Sequence, residues 1–155
     1  MLPASESHLV KIVFPLDPSE VHEDESEFIW AESVGPDRYR LQKTPCYAYG
    51  YSLLDVVEAT LSGDGAPIVR RAVEASGHST YRIIIAQRRT STATFDEHWK
   101  ALAALGCLHE LVDDRYLTVD VPPEADIDEV YRLLERGESA GAWYFEEAHC
   151  GHPLS

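Results

Sequence analysis

Basic residues, cysteines and long apolar runs are all scarce in this 155-residue chain, and each scarcity excludes something. Lys and Arg number 13 against 27 Asp and Glu, leaving a formal net charge of -14. Such a surface repels nucleic-acid phosphates and anionic lipid, and it attracts basic surfaces. The longest apolar stretches, such as Ile83-Ile84-Ile85-Ala86, fall far short of the roughly 20 residues a membrane-crossing helix needs. Met1 to His8 contain no basic start followed by an apolar stretch, so no secretory signal is expected. The three cysteines, Cys46, Cys107 and Cys150, are odd in number and far apart, which is no disulfide framework. A reducing cytoplasm is the expected compartment. Decisive catalytic spacing is also missing, so the expectation leans away from an enzyme.

What is present is a hydrophobic fraction of 45%, enough for an ordinary globular core. The charge is uneven. Eight of the 13 basic residues lie between Arg38 and Arg89, where only Asp55, Glu58, Asp64 and Glu74 oppose them, while both flanks are strongly acidic.

The first half has the rhythm of strands. Val10, Ile12 and Phe14 alternate with more exposed positions, Phe28 to Val34 resumes strand character, and Gly35-Pro36-Asp37 turns into Arg38 to Leu41. Between the first two strands, Asp17 to Glu27 reads as an acidic loop. Ser62-Gly63-Asp64-Gly65 predicts a hairpin between Val56 to Leu61 and Ile68 to Val73. Short strands joined this way are expected to curl into a small barrel, which also removes exposed edges. After Gly77 the order changes to strand, helix, two strands, helix, strand. Thr94 with Glu97 suggests a capping box before the face Phe95, Trp99, Leu102 and Leu105, and Asp126 repeats the logic before Ile127, Val130, Tyr131 and Leu134. The expected fold is therefore α+β: a small N-terminal β-barrel-like unit over residues 8–76, packed on a C-terminal ferredoxin-like β-α-β-β-α-β unit over 77–150.

Several groups carry candidate chemistry. His149, Cys150 and His152 supply three zinc-type ligands within four residues, although a closed site needs a further ligand such as Cys46, Cys107 or His109. No cofactor is expected beyond zinc at that tail, and a tail folded back on the body explains the same residues. His78, Ser79, Thr80 and Arg82 form a polar turn leading into a strand, suited to a ligand rim; adjacent extended residues point apart, which argues against His78 activating Ser79. Asp113, Asp114 and Arg115 occupy a hairpin turn that suits a cation or plain solvation. Glu146 and Glu147 alternate faces of a strand and are not expected to share a site. Trp143 is a candidate core or interface anchor.

The acidic loop residues Glu23, Asp24, Glu25 and Glu27 are candidates to steer a basic protein partner. The basic group Arg38, Arg40, Lys43, Arg70, Arg71, Arg82, Arg88 and Arg89, near Tyr39, Tyr47, Tyr49 and Tyr51, offers a nucleotide or RNA surface that the overall charge opposes.

Phe28-Ile29-Trp30-Ala31-Glu32, Pro45-Cys46-Tyr47-Ala48-Tyr49-Gly50, Ser76-Gly77-His78-Ser79-Thr80, Val119-Asp120-Val121-Pro122-Pro123 and the tail Glu146 to Pro153 together resemble an uncharacterised bacterial family, domain of unknown function 4265. The resemblance spans nearly the whole chain. It implies that the Gly77 turn and the tail are family features, and it implies no activity. The expected function is binding or inhibition of a basic protein partner, in the cytoplasm and away from membranes, with self-association open. The alternatives are a metal-dependent or small-ligand enzyme using the tail, and the nucleotide or RNA binder.

Overall fold

Alternation of apolar and polar side chains builds the first half of the molecule. The computed structural model describes residues 9–16, 26–61, 63, 65–85 and 92–153. The chain divides into two units, Met1–Ser76 and Gly77–Ser155. In the first, strands β1 (Leu9–Pro15), β2 (Ser26–Gly35), β3 (Arg38–Leu41), β4 (Val56–Thr60) and β5 (Ile68–Glu74) follow one another in space as in sequence. Ile12, Phe14, Ile29, Ala31, Leu41, Val57, Ala59 and Val69 turn to one buried side, while Phe28 and Trp30 remain exposed on the other. Each fully buried aliphatic or aromatic side chain contributes about 1.5–3 kcal/mol. The β4–β5 hairpin forms in the expected place, although Ser62 and Asp64 of its turn lie outside the described residues.

The expected small antiparallel barrel needs correction at its seam. The five strands follow one another round a closed barrel with four antiparallel ladders, but its closure is parallel and not a fifth antiparallel ladder. Its end strands meet at a single parallel pair, Val13 with Ile68, where the Val13 N–H donates to the Pro67 carbonyl at 2.9 Å. The physical reason is strand length and register. β3 has four residues and β4 five, and the β2–β3 and β4–β5 ladders shift register. Such bulges coil the sheet, but strands this short bring its ends together over one rung, and a continuous seam needs matched tilt and stagger.

The second unit has β6 (Ser79–Ile85), α1 (Thr92–Ala104), β7 (Leu108–Leu111), β8 (Tyr116–Val121), α2 (Ile127–Ser139) and β9 (Trp143–His149). Its sheet order is β7–β8–β6–β9 with antiparallel neighbours throughout, the split βαβ arrangement. Tyr81, Ile83, Leu117, Val119, Val121 and Trp143 from the sheet share one core with Leu102, Val130 and Leu134 from the helices. No helix among the described residues is long and apolar enough to cross a membrane.

Helix ends are set locally. The Asp126 carboxylate accepts from the Asp128 and Glu129 amides, capping α2 as its sequence predicts. The expected start at Thr94 is corrected: the helix α1 already begins at Thr92, so Thr94 lies inside it and is not its N-cap. Gly106, at φ +93°, ends α1 with the Cys107 amide bonded to the Leu102 carbonyl and the Gly106 amide to that of Ala103. Only a residue at ease in the left-handed region suits that double closure.

Candidate functional site

The turn at Gly77 and the C-terminal tail, 72 or more residues apart in sequence, meet at Ser79. The Ser79 Oγ accepts from the Gly151 amide at 2.9 Å and the His152 amide at 3.3 Å. It also lies 2.6 Å from His152 Nδ1, while His152 Nε2 lies 2.9 Å from the Pro122 carbonyl. A carbonyl only accepts, so Nε2 carries the ring proton and Nδ1 takes the Ser79 hydroxyl proton. Gly151 permits the approach, since a Cβ there would collide with the His78 carbonyl. Beside this clasp, His78 Nδ1 is 2.8 Å from Asp120 Oδ1. Burial holds the Asp120 pKa above the ordinary carboxylate value, partly offset by the hydrogen bond and charge of His78 and by His152.

This arrangement resolves the chemistry of the turn. His78 and Ser79 face different partners, as alternation requires. Ser79 spends its donor and both acceptor positions and is 0% exposed, so the Ser79–His152 pair fastens the tail and leaves a substrate no line of attack. Thr80 and Arg82 are also buried, at 0% and 2% exposure, and do not form an open rim.

The zinc expectation is overturned. Both His152 ring nitrogens are engaged, and the Cys150 thiol lies 3.6 Å from the His152 carbonyl. His109, one of the further ligands considered for a tail site, instead stands perpendicular to Trp99 with centroids 4.6 Å apart. Burial and, secondarily, Asp120 push the Cys107 thiol up to about 12, far from the thiolate a metal takes. No group of three or more His, Cys, Asp or Glu among the described residues is placed to hold a metal ion.

The other predicted residues separate. Asp113 Oδ1 accepts from the Arg115 and Tyr116 amides, and the Arg115 guanidinium donates to the Ile85 carbonyl, so the Asp113-Asp114-Arg115 segment is a self-satisfied exposed turn. Trp143 is 0% exposed, with its indole N–H on the Leu134 carbonyl at 2.9 Å; it belongs to the core. Glu27 is no partner-facing acid. It is buried and accepts the amides of Cys46, Tyr47 and Ala48, anchoring that loop. Glu23, Asp24 and Glu25, like Arg88 and Arg89, lie outside the described residues. Arg40 pairs with Glu32 at 2.9 Å, and Glu58 lies between Arg38 at 3.6 Å and Arg71 at 3.3 Å, all on neighbouring strands. Tyr39, Tyr47 and Tyr51 pack on the core of the first unit, which leaves little of the supposed Arg-Tyr face for stacking bases.

A concave site appears elsewhere, between α2 and β9. A cleft of about 380 Å³ is lined by Tyr131, Glu135, Glu138, Ser139, Phe145, Glu146 and Glu147. All four glutamates are exposed. Tyr131 and Phe145 meet edge to face at 5.5 Å, and the Tyr81 hydroxyl behind them donates to Glu147 at 3.1 Å. The Glu138 carboxylate accepts the Phe145 amide at 3.2 Å, which ties the helix to the strand across the cleft. Glu146 and Glu147 thus share a site after all: β9 is an end strand, and at an edge side chains from both faces border the same opening. Tyr131, Glu135, Glu138 and Phe145 were absent from the sequence candidates. The i, i+4, i+7 spacing of the first three marks one helix stripe, but the strand that completes the wall is fixed only by tertiary packing.

A family model described as "Domain of unknown function (DUF4265)" matches residues 27–145. A solved structure described as a novel crystal structure of a hypothetical protein from Neisseria gonorrhoeae is similar over 95% of this chain and 97% of its own, with 20% identity and a TM-score of 0.77. That likeness speaks to the fold alone. No curated protein matches the chain.

Proposed function

The chain belongs to the DUF4265 family of unknown function, and for this member we propose a cytoplasmic binding protein that holds a basic protein partner at the α2–β9 cleft. The observation that carries this reading is the cleft wall: Glu135, Glu138, Glu146 and Glu147 around the aromatic pair Tyr131 and Phe145. A single exposed ion pair contributes about 0–1 kcal/mol. Several carboxylates around a concavity act together, concentrating cations and speeding encounter. The aromatic rings add a face for the stem or cationic head of a Lys or Arg side chain. The net charge of -14 extends the same attraction over the molecule. Free thiols at Cys107 and Cys150 accord with a reducing compartment.

The test is binding of a fluorescent Lys/Arg-rich peptide as ionic strength is varied. Native protein should bind at low salt, and the double variant Glu135→Lys/Glu146→Lys should associate at least about tenfold more slowly with a smaller salt dependence. Equal association by native protein and variant would remove the cleft from the interaction.

A further inference from the structure

We infer that the partner segment is an extended basic peptide that adds as a strand to the outer edge of β9. This rests on the preceding reading of the cleft and supplies its binding geometry. β9 ends the sheet order, with β6 on one side and no strand on the other among the described residues. The direction of its backbone groups follows from the neighbouring ladder. Ile85 donates its amide to the Arg115 carbonyl, towards β8, so alternate positions Arg82 and Ile84 hydrogen-bond towards β9. Their partners there are Glu146 and Tyr144. Phe145 and Glu147 therefore point their amides and carbonyls away from β6, along the outer edge. The Phe145 amide is the visible proof: it reaches the Glu138 carboxylate at 3.2 Å.

That carboxylate is a replaceable plug on a strand edge. Native sheets blunt their edges with charged groups, and a peptide that supplies both a carbonyl for the Phe145 amide and a cation for Glu138 can exchange for it. An added strand turns alternate side chains to opposite faces. One set would meet Tyr131, Glu135 and Glu138 on the helix side, and the other would pass Glu146. Charge selects the occupant. A second copy would bring the same four glutamates and another -14 to this edge, whereas a Lys- or Arg-rich segment neutralises them. Main-chain pairing then gives affinity, and the acidic cleft gives selectivity.

The experiment uses full-length protein and the peptide (Lys-Thr)5, with amide hydrogen exchange resolved at Phe145 and Glu147. Binding together with at least about tenfold slower exchange at these two amides supports edge pairing. Binding that Glu135→Lys abolishes, but that leaves both amides unchanged, overturns edge pairing while the basic-partner reading survives. Failure to bind even at low salt sinks both. Slow exchange in the absence of peptide that is lost on dilution assigns the edge to a second copy and likewise overturns the proposal.

Discussion

Replacing Gly137 by alanine tests how α2 and β9 are held together around the candidate cleft. Gly137 is buried in the last turns of α2, directly over the indole of Trp143. A Cβ at this position would fall inside the contact distance of Trp143 Cζ2 and Cε2 and 2.8 Å from Nε1. The ring is 0% exposed and has no room to retreat freely, since Phe95 and His98 stand 5.6 and 6.1 Å from it. In an exposed helix, Gly→Ala stabilises by about 1 kcal/mol. Here overpacking costs about 1–3 kcal/mol. Pulling the indole N–H off the Leu134 carbonyl leaves a buried donor unsatisfied, for about 1–3 kcal/mol more. The net expectation is a loss of about 1–5 kcal/mol, centred near 3. Urea unfolding of the native and Gly137→Ala proteins, with exchange of the Trp143 indole proton as a local readout, checks it. Gly141→Ala is the control: it has nothing within 4 Å, so only its backbone strain at φ +81° should appear, about 1–2 kcal/mol. A Gly137→Ala protein as stable as native would refute the idea that the glycine exists to admit the indole.

Two further expectations concern the clasp at the tail. Ser79→Ala removes the acceptor of two amides and the donor to His152; it should cost about 1–3 kcal/mol and speed exchange of the Gly151 and His152 amides, and unchanged exchange would show that the tail is held by other means. Asp120, whose pKa is raised in the folded state mainly by burial, binds its proton more tightly folded than unfolded. Its contribution is therefore fully present below about pH 4 and is lost as pH rises through the raised value. The stability of native protein relative to Asp120→Asn should fall in thermal melts as pH rises above about 4 and through the raised value, and a flat difference would contradict the burial argument.

Local patterns were legible. Ile12 and Phe14 against Ile29 and Ala31 follow a period of two, and the α2 stripe of Ile127, Val130 and Leu134 follows a helical one, because burial of one face imposes that period on the chain. Asp126 and Gly106 set helix ends through hydrogen bonds to their immediate neighbours. Thr94 misled because a capping signal inside a helix looks like one at its start, and α1 runs two residues further back. Glu27 misled because a carboxylate amid acidic neighbours looks solvated, and the three amides that bury it come from a loop about 20 residues away.

By itself, then, the sequence determined the α+β class, the strand and helix periods, the family membership and a net charge of -14. Those are sums or short-range properties, and they do not depend on which distant residues meet. Tertiary structure alone decided that the Ser79 hydroxyl is consumed by the tail, that His152 is unavailable to a metal, and that the ends of the first sheet meet over one rung. It also decided that four glutamates from a helix and an end strand border one cleft. Each outcome depends on a register or a contact across many residues, and a one-residue change of register in β9 would turn the same side chains elsewhere.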